Sequence, residues 1–245
     1  MNEGHAMGLG ERITEAISTK TVFTIHAFGL SVPISDTVIM SWIVMALVFL
    51  FVFIATRRLK EVPTGVQAIL EFLMEFADSF TLDNIGHHGK KYAPYIGSIF
   101  IFLVVANLIP IFTPVGGFGF EPLFVIKPLT RDINITAAFA ICTMCVVIYS
   151  SIKYRGPVGF IKSFAKPMGF MVFFNALEYI VKPLSLTLRL FGNIMGAFII
   201  MQLIEAVVPL GLPPIMGLYF DLFDGLIQAV VFSFLSTVYI AEAIE

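Results

Sequence analysis

Thr37–Thr56 reads TVIMSWIVMALVFLFVFIAT, twenty residues without a single charge. As a helix rising 1.5 Å per residue, a run of that length crosses the ~30 Å hydrocarbon layer of a bilayer. Ile133–Ile152 is a second run of the same length and character. The 245-residue chain around them is 58% hydrophobic and only 13% charged, with a mean hydropathy of +0.93. That balance excludes an ordinary soluble domain. Tyr92–Phe120 is also uncharged, but Pro110, Pro114, Gly116, Gly117 and Gly119 break it, so a third span is placed at 94–112 with a loop after it.

The last third of the chain differs. Pro167–Ile204 and Leu212–Ile244 are long and mostly apolar, each interrupted by polar residues, and Pro209, Gly211, Pro213 and Pro214 punctuate the segment between them. This predicts two long helices, 168–206 and 212–244, joined as a hairpin. Between the first two spans, Val66, Ile69, Leu70, Leu73, Phe76, Ala77 and Phe80 fall at helical spacing among Gln67, Glu71, Glu75 and Asp78. That pattern predicts an amphipathic helix over 65–82 lying at the membrane interface. The expected fold is one all-α integral membrane domain, 1–245, with five membrane-crossing helices and one interfacial helix behind an external segment, 1–36.

Nine of the fifteen basic residues fall on one side of the predicted spans: Arg57, Arg58, Lys60, Lys90, Lys91, Lys153, Arg155, Lys162 and Lys166. That side is expected to be cytoplasmic. The N-terminus and the loop carrying Lys127 and Arg131 then lie outside, and Glu245 lies inside. Met1–Lys20 is too polar for a signal peptide, so the first span is expected to direct insertion.

Motifs for other chemistry are missing from the sequence. Cys142 and Cys145 have C-x-x-C spacing inside an apolar span without a second pair, which reads as packing. His87 and His88 sit in a basic turn without ligand-type neighbours and are expected to be solvated, so no metal site is proposed. Phosphate-binding glycine loops, a nucleophile elbow and H-E-x-x-H are absent too.

Arg189 is the anomaly. It stands inside the apolar stretch Leu184–Ile204, where an arginine at the centre of a spanning helix costs roughly 2.5–3.5 kcal/mol and usually faces a cavity, a partner or an ion path. Snorkelling suits helix ends, whereas about fifteen residues of helix, roughly 22 Å, follow this one. Ser185, Arg189, Asn193 and Gly196 recur at intervals of four, four and three, with Gly192 beside them. Such a face is narrow and smooth enough for another helix to approach closely. On the last helix Gly217, Asp221, Asp224 and Gln228 repeat at four, three and four. The stripe fades into apolar residues near the middle, as an aqueous path that stops inside the membrane would. Asp221 and Asp224 share one helix, which argues against a protease-type acid dyad.

The run Lys182-Pro183-Leu184-Ser185-Leu186-Thr187-Leu188-Arg189-Leu190-Phe191-Gly192-Asn193 resembles the signature of subunit a of F-type ATP synthases. Asn107-Leu108-Ile109-Pro110, the segment Pro128–Thr136 and the terminal Gln228–Tyr239 resemble the same family, in its order. The resemblance implies a bacterial inner-membrane stator whose last two helices form a long tilted hairpin against a c-subunit ring, with a b-subunit peripheral stalk and the rest of the synthase as partners. No cofactor and no nucleic acid is implied.

By that resemblance Arg189 pairs with ring carboxylates and separates two offset half-channels, coupling H+ or Na+ flow to rotation. Asn193, Asp221 and Gln228 would line the outer half-channel, with Asp224 added from the helical stripe alone. Ser185 and Glu178 are candidates for the inner one. A guanidinium about 4 Å from a carboxylate attracts it by about 4 kcal/mol at an effective dielectric near 20, enough to lower the carboxylate pKa by about three. Two positions depart from some bacterial relatives: Phe198 stands where they carry glutamate, and Asp221 where they carry histidine. The alternative is a self-contained transporter or channel, which would more often show matched halves with broken helices in each.

Overall fold

The computed structural model describes residues 21–27, 30–109, 129–164, 171–207 and 212–244. The expectations for Met1–Lys20, for the loop through Pro114 to Lys127 and for the turn at Pro209 and Gly211 lie outside these residues. Five helical stretches are long and apolar enough to cross a membrane, the number expected.

The segment before the first span holds a feature that its residues did not announce. Strands β1 (Thr21–Ala27) and β2 (Leu30–Ser35) pair antiparallel, from Thr21 opposite Ser35 to Ala27 opposite Leu30. β-Branched residues are frequent in both, as pleated backbone favours. β2 runs directly into α1 (Asp36–Thr56), which is mostly exposed, with Val44 and Ala55 buried.

Helix α2 (Val66–Ile85) extends three residues beyond its predicted end. Its apolar residues divide between two directions. Ala77 joins the core with Leu73 and Phe80 against it, while Val66, Ile69 and Phe72 are exposed alongside Glu71 and Glu75. A short turn, Gly86–His88, leads into α3 (Gly89–Leu108), which begins five residues before the predicted span. The two helices meet closely: a Cβ on Gly89 would lie 2.8 Å from the Thr81 carbonyl oxygen, so only glycine fits there.

Helix α4 (Ile133–Phe164) is kinked at Gly156, whose φ of 73° suits glycine. The first helical stretch thus reaches Arg155, a little past the predicted end at Ile152, and a second one follows the break to Phe164. Cys142 and Cys145 lie exposed and free on α4, a correction to their reading as packing residues. A face-out position is as compatible with lipid as with a protein core, so apolar context alone does not separate the two. His88, exposed as expected, also meets the Tyr154 ring edge-on at 4.7 Å.

The Arg189-bearing helix is α5 (Met171–Val207). The final rod comprises α6 (Leu212–Leu218), a π-helical segment (Tyr219–Asp224) and α7 (Gly225–Ile244). At 37 residues, α5 is about 55 Å long, well beyond a bilayer's hydrocarbon thickness, so it must tilt or extend past it.

Helix α7 sits centrally. Ala229 and Phe232 pack with Ala77, Phe100, Leu103, Ala140, Leu186 and Leu190. Further along, Ile240 and Ala243 meet Tyr92, Ile96, Met144 and Val147. Between apolar helices in lipid the attraction is close van der Waals contact rather than expulsion of water. Four buried hydroxyls are satisfied locally: Thr81, Ser150, Ser236 and Thr237 each donate to the carbonyl four residues earlier, at 2.6–2.9 Å.

Candidate functional site

The two faces of α5 divide by residue type. Leu186, Thr187, Leu190 and Ile194 are buried, whereas Leu188, Arg189, Gly192 and Asn193 are exposed. Arg189 makes no hydrogen bond or ion pair among the described residues. Around it, a Cβ added to Gly192 or Gly196 would meet nothing within 4 Å. The chain's own packing therefore does not require glycine at either position, and the open space suits an approaching partner.

Beside this face, Gly192, Asn193, Gly196, Ala197 and Ile200 of α5 line an open cavity of about 340 Å³, with Tyr219, Phe220, Phe223, Asp224 and Ile227 on its other side. Asn193 and Asp224, assigned to one path from separate helices, thus share one cavity. Tyr219 and Phe223 stack in its wall, ring centroids 5.5 Å apart.

The π segment explains how the wall is built. The Gly225 N–H donates to the carbonyl of Phe220, a five-residue bond, as well as to that of Leu222. Such a turn holds an extra residue and shifts the phase of the helix. The even stripe from Gly217 to Gln228 is accordingly interrupted: Asp224 borders the cavity, while Gln228 is 4% exposed and not among the described lining residues. Asp221 falls within the π segment, its side chain outside the described residues.

At the other end of α5 the candidates are differently engaged. Ser185 is half-buried. Glu178 accepts from Lys182 Nζ at 2.8 Å, and the same ammonium reaches Glu242 of α7 at 2.9 Å and lies over the Tyr239 ring. Arg155 of α4 donates to the Glu242 backbone carbonyl at 2.9 Å. One cation thus holds two carboxylates where α4, α5 and α7 meet. Lys182 was not among the candidate site residues; its i,i+4 spacing from Glu178 was the available signal.

Two further polar junctions were visible only as family-like words. Asp132 caps α4 by accepting from the Asn134 N–H at 2.9 Å, and takes a 2.6 Å hydrogen bond from Thr37 at the start of α1. Asn107, 3% exposed, donates to the Gly225 carbonyl at 3.0 Å and accepts from Thr130 at 2.8 Å.

Residues 38–241 match the family described as ATP synthase A chain. The chain belongs to the ATP synthase subunit a family. Among its relatives, ATP synthase subunit a of Moorella thermoacetica is 38% identical over 215 residues, covering 87% of this chain and 93% of that protein. The sodium ion specific ATP synthase subunit a of Propionigenium modestum is 35% identical over 217 residues, covering 86% of this chain and 75% of its own. As a member of the subunit a family, this multi-pass membrane chain belongs to the ion-translocating membrane sector of an ATP synthase.

Proposed function

We propose that this chain is the stator that carries H+ or Na+ past a ring of c subunits, with Arg189 as the fixed charge between two half-channels. The observation that carries this reading is Arg189 itself. It stands on the exposed face of a long apolar helix, without an ion pair among the described residues, beside two glycines that leave room for a partner. An incoming ring carboxylate supplies the missing counter-charge. Near Arg189 the carboxylate is held ionised and gives up its ion; once it turns into lipid, desolvation favours the ion-bound form. Rotation then alternates release and capture without covalent chemistry. Arginine suits the task because it keeps its charge at any physiological pH.

The cavity bearing Asn193 and Asp224 serves as the outer approach, with Asp221 on the same segment and Gln228 a turn deeper. Ser185 lies on the inner side of Arg189, and Glu178 marks the inner mouth. There Glu178 is a member of the Lys182–Glu242 cluster rather than a free carboxylate. The c ring and the peripheral-stalk b subunits are the partners. The residues assigned to the path, Glu178, Ser185, Arg189, Asn193, Asp224 and Gln228, all lie on the last two helices rather than in matched halves, which favours a partner-dependent path over a self-contained transporter.

The test is Arg189→Ala in the whole synthase in membrane vesicles. Ion-driven ATP synthesis should vanish while the complex still assembles, and normal coupling in that variant would refute the assignment.

A further inference from the structure

The contact between Asn107 and Gly225 joins the end of α3 to the residue where the π segment gives way to α7. Its two halves are built to fit. A Cβ on Gly225 would lie 2.8 Å from the Asn107 Cβ, so the side chain reaches the backbone only because residue 225 is glycine. Asn107 spends its amide donor on the Gly225 carbonyl and its oxygen on the Thr130 hydroxyl. Thr130 is fully buried, on the turn Leu129–Arg131 that precedes α4. With its acceptor occupied by Thr130, the Asn107 amide is held with its NH2 toward α7.

This contact acts at a sensitive place. Downstream, Gly225, Gln228, Ala229 and Phe232 are buried and fix the rotation of α7. Upstream, Gly217 faces Met201 of α5. The π segment absorbs the phase difference between these two constraints, and π turns of this kind occur frequently at functional sites. Asp224 is its last residue.

We propose that Asn107, oriented by Thr130, is a positioning residue of the outer half-channel, clamping the π-to-α junction so that the Asp224 carboxylate borders the cavity beside Asn193. This rests on the reading of that cavity as an ion path, but the placement of residue 224 can be measured separately.

The experiment uses the assembled synthase in vesicles, with Cys142 and Cys145 replaced by serine and Asp224→Cys as the reporter. Labelling by a small water-soluble maleimide is followed with Thr130 intact, with Thr130→Val, which removes the hydroxyl, with Thr130→Ser, which keeps it, and with Asn107→Leu. Loss of one buried hydrogen bond corresponds to about a tenfold change in labelling rate. That change is expected for Thr130→Val and Asn107→Leu, while Thr130→Ser stays near the parent. Equal rates for the valine and serine variants would overturn the clamp, even if Asn107→Leu failed to assemble. In the otherwise native chain, Asp224→Asn tests the ion path by itself: undiminished ion-driven synthesis would remove Asp224 from the path while leaving the labelling result for the clamp intact.

Discussion

Gly192 shows how much a single position can say once its surroundings are known. A glycine in the middle of a helix costs about 1 kcal/mol relative to alanine, yet a Cβ at this position would meet nothing within 4 Å. The contrast with Gly225 and Gly89 is direct, since those two have neighbours that exclude a Cβ. Gly192→Leu should therefore leave the thermal stability of the purified chain in detergent within about 0.5 kcal/mol, as for other exposed substitutions. In the assembled synthase the same change should sharply reduce ion-driven synthesis, because it would protrude toward the ring beside Arg189. Unimpaired synthesis would place the ring elsewhere. The charge at Arg189 was legible from sequence because an ionised group in an apolar run is anomalous by itself. The roles of Asn107 and Lys182 were not, because each acts across helices: Asn107 on Gly225 and Thr130, Lys182 on Glu242 of α7.

Among the elements, the π segment Tyr219–Asp224 separates what spacing could tell from what it could not. Residues 217, 221, 224 and 228 form a stripe only if the helix is regular throughout. One wider turn changes the rotation of everything before it relative to everything after. Deleting Leu222 should restore an α-helical turn while leaving the buried face of α7 in place. The complex is expected to assemble, with ion-driven synthesis strongly reduced because the turn carrying Asp224 changes its rotation relative to the Asn193 side of the cavity. Synthesis at the parental level would show that the π turn is dispensable. Helix existence itself was well read, since twenty uncharged residues admit few alternatives in lipid. Helix ends were less so: the α4 span reaches the break at Gly156 and a second helical stretch follows it, and α3 begins among polar residues where hydropathy is silent. The β1–β2 pair lies in short segments whose alternation is weak beside the neighbouring apolar runs.

For the whole molecule, the lysines and arginines predict orientation. His87→Cys, in the exposed turn between α2 and α3, should react with a membrane-impermeant maleimide from the cytoplasmic side. Asn134→Cys, exposed at the start of α4, should react from the opposite side. Reversed labelling would invert the topology and, with it, the assignment of outer and inner half-channels. The same frame gives the Lys182–Glu178–Glu242 cluster a meaning, since it ties α5 to α7 at the end predicted to face the cytoplasm. In the proposed mechanism the two helices must keep their relative height and rotation while a ring turns beside them, and this tie and the Asn107 junction brace α7 near its two ends.

The sequence by itself determined that the chain lives in a membrane, how many times it crosses, and that Arg189 needs a counter-charge. Those properties follow from length, hydropathy and charge along one strand of text, and lipid enforces them locally. Only the tertiary structure decided that Asn193 and Asp224 share a cavity, that Gln228 lies outside its described lining, that Glu178 is held by Lys182, and that Asn107 meets Gly225. Which polar groups converge depends on how each helix is rotated about its own axis against its neighbours. That rotation is set by packing between elements and, in the last helix, by a single wide turn whose phase shift no residue spacing announces.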